Sequence, residues 1–196
     1  MGDPRKTRRK YKTPRHPWQA HRIEAERKIT QEYGLNNKKE IWKSESFLRK
    51  VKKHARRLIP DITEQGKKET EQLLSRLIKL NLIKQGAQID DVLALELNDI
   101  LERRLQTIVF RKNLAKSIKQ ARQFIVHRHI MVNENKMDSP SYLVLKDEEN
   151  KISFDSKSSL NNPNHPERFK EEKKEIKAEK PEVEEMKKVE VVEVAI

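Results

Sequence analysis

Apolar residues recur at steps of three and four through most of this chain, and the pattern becomes strand-like only near residue 130. Ile118, Ala121, Phe124 and Ile125 share one helical face, with Lys116, Lys119, Arg122 and Gln123 turned outward. Ser117 followed by Gln120 has the spacing of a capping box and sets where that helix starts. Beyond it, residues 129–133 predict a strand, 133–136 a turn and 142–145 a further extended segment. Residues 103–146 therefore read as a small helix-helix-hairpin core.

The first half of the chain is helical throughout by the same criterion. Pro17 suits a first helical position, Trp18, Ala25 and Ile29 return on one face, and Gly34 closes that helix. Asn37 with Glu40 forms a second cap signature, followed by Ile41, Leu48, Val51, Ala55 and Leu58 on one side. Residues 67–83 carry Leu73, Leu74, Leu77, Ile78 and Leu80, a packing scaffold with Gly86 as its stop. Residues 90–102 continue with Val92, Leu93, Leu95, Leu97, Ile100 and Leu101; Asn98 is placed to cap a helix there, with Asp99 and Glu102 in its first turn. From about Asp155 the periodicity is lost. Residues 161–166 read as a turn-rich linker and 167–196 as a mobile, low-complexity tail of alternating Glu and Lys.

Charge changes the picture, because it is distributed unevenly. Residues 1–60 carry 19 Lys/Arg against 6 Asp/Glu, residues 61–102 are net −4, residues 103–146 are net +8, and residues 147–196 are net −4. Two cationic blocks separated by an acidic scaffold suit a polyanion that touches the chain in two places. In the first block, residues 5–15 have almost nothing to bury and form an arm that folds into a nucleic-acid groove. The outer face of the following helix carries Lys43, Arg49, Lys50, Lys52, Lys53, Arg56 and Arg57, with no acid from 49 to 57, a self-repelling arrangement that an anion relieves. Only 34% of residues are apolar and 5% aromatic, too few for a large continuous core. The absence of cysteine excludes disulfides and thiolate metal sites, and no apolar run reaches the length of a membrane span. The expectation is a soluble cytoplasmic protein without membrane partner, cofactor or small-molecule substrate.

Several separated motifs carry a resemblance. Arg104-Leu105, Leu114-Ala115, Ser117, residues 121–125, His129-Ile130, Val132-Asn133 and residues 140–144 resemble the RNA-binding domain of the fourth protein of the small ribosomal subunit. Residues 2–6, 16–18, 33–35, 38–42 and 101–110 are similar to the archaeal and eukaryotic form of that family, and the match runs to about Ser153. Members often have Gly where Asn113, Arg128 and Asn135 stand. Asn tolerates a left-handed backbone, but Arg128 does so only at a cost, so a local difference before the hairpin is expected. The resemblance implies an α+β protein: a basic arm and helical domain over 1–102, the RNA-binding module over 103–166, and the charged tail over 167–196. It also implies direct binding to small-subunit ribosomal RNA, early assembly of the RNA's 5′ domain, neighbouring ribosomal proteins, a position near the path of incoming messenger RNA, and a contribution to translational accuracy.

Catalysis has no support in the residues. Six histidines are scattered, and only His127 and His129 are close; on a strand they would share a face, but no carboxylate or cysteine cluster completes a metal site. Among four glycines there is no phosphate-cradling loop, and no nucleophile elbow or paired carboxylates occur. Two other readings are an assembly factor that binds precursor rRNA transiently, and a nonspecific DNA-compacting protein supported by charge alone. The candidate rRNA contacts are Arg49, Lys50, Lys53, Arg56 and Arg57 on the N-terminal helix, and Arg104, Arg111, Lys112, Lys116, Lys119, Arg122 and Arg128 in the C-terminal module. Their chemistry would neutralise crowded phosphates at an RNA helix junction and read RNA by shape, since A-form RNA hides its major-groove base edges.

Overall fold

The computed structural model describes residues 9–162 and 165–168. The start of the arm and nearly all of the expected tail lie outside them. Two helical layers and one small sheet are built in chain order. The first comprises α1 (Ala20–Glu32), α2 (Lys38–Leu58), α3 (Glu64–Lys79), α4 (Ile89–Ala94) and α5 (Leu97–Glu102). The second comprises α6 (Leu105–Arg111), α7 (Ile118–Val126), β1 (Ile130–Val132), β2 (Asn135–Lys136), α8 (Lys146–Glu149) and β3 (Ile152–Phe154).

In the helical domain, α2 is the axis. Its apolar side, with Val51, Ala55 and Leu58, packs on Leu73 and Leu77 of α3, Val92 of α4 and Leu95. Its N-terminal end joins Ile41 to Tyr33, Leu35 and Leu101 in a separate small cluster. In the C-terminal module, Leu105, Ile108 and Val109 of α6 meet Phe124 and Ile125 of α7 and cover the sheet residues Ile130, Val132, Ile152 and Phe154. The expected hairpin is there, with Asn133 and Glu134 both at positive φ in its turn. A third strand, β3, pairs antiparallel with β1 on the other side, giving the order β2-β1-β3. That strand was not anticipated, because three residues with two buried give too short an alternation to stand out. The extended segment 142–145 does not join the sheet; it makes a single bridge, Arg104 to Leu143.

Four helices end the same way. In each, the N–H two residues past the C-cap reaches the carbonyl five residues back: Leu35 to Thr30, Leu82 to Leu77, Leu114 to Val109 and His129 to Phe124. The residue between must be left-handed, and it is Gly34, Asn81, Asn113 and Arg128 in turn. Hence α3 ends at Lys79 and not at 83, Asn81 is its stop, and Gly86 is a later turn. Arg128 adopts the positive φ of 60° that its side chain disfavours, so the turn before the hairpin carries strain. Other expectations shift in detail. The helix expected from Pro17 starts at Ala20, leaving Trp18 outside it and fully solvated. Residues 90–102 form two short helices broken at Leu95, and Glu96, not Asn98, precedes the second, its N–H bonded to Asp99.

Gly34 also lies where the two layers meet: a Cβ there would sit 2.5 Å from Ile118 Cγ2 and 3.0 Å from Gln106 Nε2. Gly34→Ala should therefore combine a left-handed penalty with overpacking and cost roughly 2–4 kcal/mol in urea denaturation. Arg128→Gly should do the reverse, stabilising the chain by about 1 kcal/mol, since its surface pair with Asp138 contributes little.

Candidate nucleic-acid interface

The cations of α2 leave the core because its other side is apolar at the same helical period. Lys50, Lys53 and Arg56 are exposed and have no acidic partner among the described residues, while Arg49 pairs with Glu45 and Arg57 with Glu69, both at 2.6 Å. Surface pairs of this kind contribute about 1 kcal/mol or less, so a phosphate can replace the carboxylate. The arm adds a second wall. The Lys12 N–H donates to Ser46 Oγ at 3.0 Å, and the Tyr11 ring lies 6.1 Å from Trp42. Between them runs a groove of about 300 Å³ lined by Arg9, Lys10, Tyr11 and Lys12 from the arm and Ser46, Arg49, Lys50 and Lys53 from α2. Sequence reasoning placed the α2 cations but not the arm against them, since the arm has no periodicity to announce where it docks.

On the second module, Lys116 and Lys119 stand exposed at the start of α7, where the Ser117 hydroxyl accepts from the Gln120 N–H at 3.1 Å. The Gln120 side chain completes the cap one residue earlier than expected, accepting from the Lys116 N–H at 2.7 Å. Lys116 Nζ donates to the Pro166 carbonyl at 2.6 Å. Arg111 pairs with Glu102 at 2.6 Å and Arg128 with Asp138 at 3.2 Å, both on the surface. Lys112 is half-buried and donates to the Glu149 carbonyl.

Arg104 and Arg122 occupy a different setting. Both point inward at Glu40: Arg104 is 4% exposed and bonded to Oε2, and Arg122 donates to Oε1 at 3.0 Å. Arg122 is thus not on the outward face that the α7 period assigned to it. The cause lies in α2, where the Asn37 side chain makes no cap bond and Glu40, expected to close a capping box, reaches across to the other module instead. Burial alone would raise the Glu40 carboxyl, but the hydrogen bond from Arg122 and the charges of Arg104 and Arg122 outweigh it and hold the group below its usual range. Gln106, 1% exposed, ties the same junction: its amide donates to the Gly34 carbonyl at 3.1 Å and the Ile118 carbonyl at 3.2 Å, while its oxygen faces Arg122 at 3.4 Å. A polar residue inside the apolar run 105–110 was the one available signal for it.

His127 and His129 do not share a strand face. His127 caps α7 and His129 hydrogen-bonds Ser158 Oγ through Nδ1 at 2.8 Å, with the two rings 6.3 Å apart. Among the described residues no three or more His, Asp or Glu side chains gather as a metal site, and no helix is long and apolar enough to cross a membrane.

Two cationic faces held at fixed separation on a helical frame are the architecture of a polyanion-binding protein. The comparisons narrow this class. The family model of the ribosomal protein S4/S9 N-terminal domain matches residues 5–102, and that of the S4 domain matches residues 103–150. Curated relatives bearing the name small ribosomal subunit protein uS4 include that of Methanococcus aeolicus, 56% identical over 79% of this chain and 88% of its own length. Those of Methanococcus maripaludis and Methanothermobacter thermautotrophicus are 54% and 47% identical, also over 79% of this chain and over 87% and 90% of theirs. The chain belongs to the small ribosomal subunit protein uS4 family.

Glu40→Gln should leave two inward guanidinium groups without a counter-charge and cost roughly 3–5 kcal/mol, read as a lowered melting temperature. Because Glu40 titrates lower in the folded chain than in the unfolded one, its contribution is complete above the ordinary carboxylate value near 4.5 and is lost as pH falls through the folded value. The wild type should accordingly lose stability below about pH 4.5 more steeply than the Gln variant, in melts recorded from pH 7 to 3.

Proposed function

We propose that this chain is a structural, non-catalytic constituent of the small ribosomal subunit that binds small-subunit ribosomal RNA directly. The observation that carries the reading is the pair of basic faces, Arg9 to Lys53 on the arm and α2 and Lys116 with Lys119 on α7, fixed relative to one another through Glu40. Family membership supplies the identity of the polyanion: the relatives are named as proteins of the small ribosomal subunit. The division at 102/103 and 166/167 belongs to the same proposal; the two family matches abutting at 102/103 support the first of these boundaries.

On this reading Lys50, Lys53, Arg56, Lys116 and Lys119 meet phosphates first, because no carboxylate must be displaced. Arg49, Arg57, Arg111 and Arg128 exchange a surface carboxylate for a phosphate. Lys112 flanks that face, and Arg104 and Arg122 set the angle between the faces while lining its junction. The rigid spacing suits recognition by RNA shape, with crowded backbones at a helix junction neutralised from two sides. Early assembly of the 5′ domain, contacts with neighbouring ribosomal proteins and with incoming messenger RNA, an influence on decoding accuracy, and a cytoplasmic location are the finer parts of the proposal.

Filter binding to a transcript of the small-subunit rRNA 5′ domain tests it. With on the order of six to ten phosphate contacts, affinity should fall roughly a thousandfold or more between about 50 and 200 mM salt. A flat salt response removes the electrostatic basis. Lys50→Glu with Lys53→Glu, and separately Lys116→Glu with Lys119→Glu, should each weaken binding about tenfold or more while circular dichroism stays native. Wild-type affinity in the first double variant would reduce the N-terminal domain to a frame.

A further inference from the structure

Trp18 is 89% exposed, which is unusual for the largest apolar side chain in a chain with few of them. Its position is not slack. Arg22 donates to the His16 carbonyl at 3.2 Å and the Pro17 carbonyl at 2.8 Å, pinning the backbone that leads into Trp18. The same guanidinium is locked by Glu26 at 2.6 Å, and Glu26 is itself buried, accepting from Trp42 Nε1 at 3.1 Å and facing Lys38 Nζ at 3.3 Å. An ionic network centred on the buried Glu26 thus fixes the backbone from which the indole projects into water. The ring gains little packing there, and its fixed presentation suits a partner that covers it.

We propose that Trp18 is a stacking platform for an unpaired base of the bound RNA. The inference rests on the rRNA-binding reading above and adds to it a contact with a nucleobase, where that reading has only phosphates and shape. The surroundings decide for a nucleotide over an apolar protein pocket. From residue 9 to residue 23 the chain has Arg9, Lys10, Lys12, Arg15 and Arg22 and no acid. Arg22 is held by Glu26, but Arg9, Lys10, Lys12 and Arg15 precede the ring, and a flat π surface next to such a cationic run matches a nucleotide, whose base has a π face and whose phosphates need positive charge. The groove between the arm and α2 is lined up to Lys12, and only five residues lie between Lys12 and Trp18, a reach of at most roughly 20 Å, so a strand whose phosphates follow the groove can place a nearby base on the ring.

The test uses the full chain and the 5′-domain transcript. Trp18→Ala should weaken binding roughly 5- to 100-fold, the range expected for one base-aromatic stack, whereas Trp18→Phe should retain most of the affinity. Since the chain has two tryptophans, the emission of the wild type minus that of Trp18→Phe isolates Trp18, and the transcript should quench it. Melting temperature checks that the exposed position leaves the fold intact. If the wild type does not bind the transcript, the rRNA reading itself fails. If the wild type binds and Trp18→Ala binds within twofold of it, or if Trp18 emission is unchanged by RNA, stacking is wrong. Normal RNA binding by Trp18→Ala together with its loss from purified small subunits would assign the ring to a protein neighbour instead.

Discussion

Glu40 is the residue on which the spatial relation of the two modules depends. It is one carboxylate with two guanidinium groups from the other module on it, that of Arg104 buried and that of Arg122 partly open to solvent. An interaction of this kind is a weak source of net stability but a strong source of geometry, because any other angle between the modules leaves charge unpaired. Gln106 adds direction without charge, its amide reaching backbone carbonyls on both sides of the junction. The Nε of Arg104 is buried without a hydrogen-bond partner, so even the preferred geometry leaves some polar capacity unused.

The repeated helix ending has a related role. Each turns the chain sharply within two residues and gives the next element a defined start. In α1 this puts Gly34 against Ile118; in α7 it aims the chain into β1. The last case uses Arg128 where glycine would be relaxed, and the strain there is tolerated because Phe124, Ile125 and Ile130 on either side are fully buried.

Much of this was legible beforehand. Helical periods located α2, α3 and α7, the Ser117 cap set the start of α7 correctly, and the charge blocks divided the chain into the regions that became its two basic faces. What was missed has a common physical origin, since side chains with two plausible partners cannot be assigned from spacing. Glu40 had the right position for a local cap and was drawn away by two arginines 64 and 82 residues distant. Gly86 suited a helix stop by residue type, whereas α3 ends at Lys79 with Asn81 in the left-handed position. The arm's place on α2 depends on one backbone hydrogen bond and one ring contact, neither of which leaves a pattern in the sequence.

The sheet is very short: β2 has two residues and β3 three. Brevity has a consequence for the chain before it meets any partner. An edge strand exposes unpaired backbone groups that can template another chain, and long flat edges are where aggregation begins. Here each outer strand offers at most three residues, and Lys136 on one edge is held to Asp155 across the sheet's end. A second copy finds too few consecutive donors and acceptors to extend the ladder. A chain destined for a larger particle thus offers little backbone for pairing with its own copies, through the same economy of strand that made β3 invisible in its sequence.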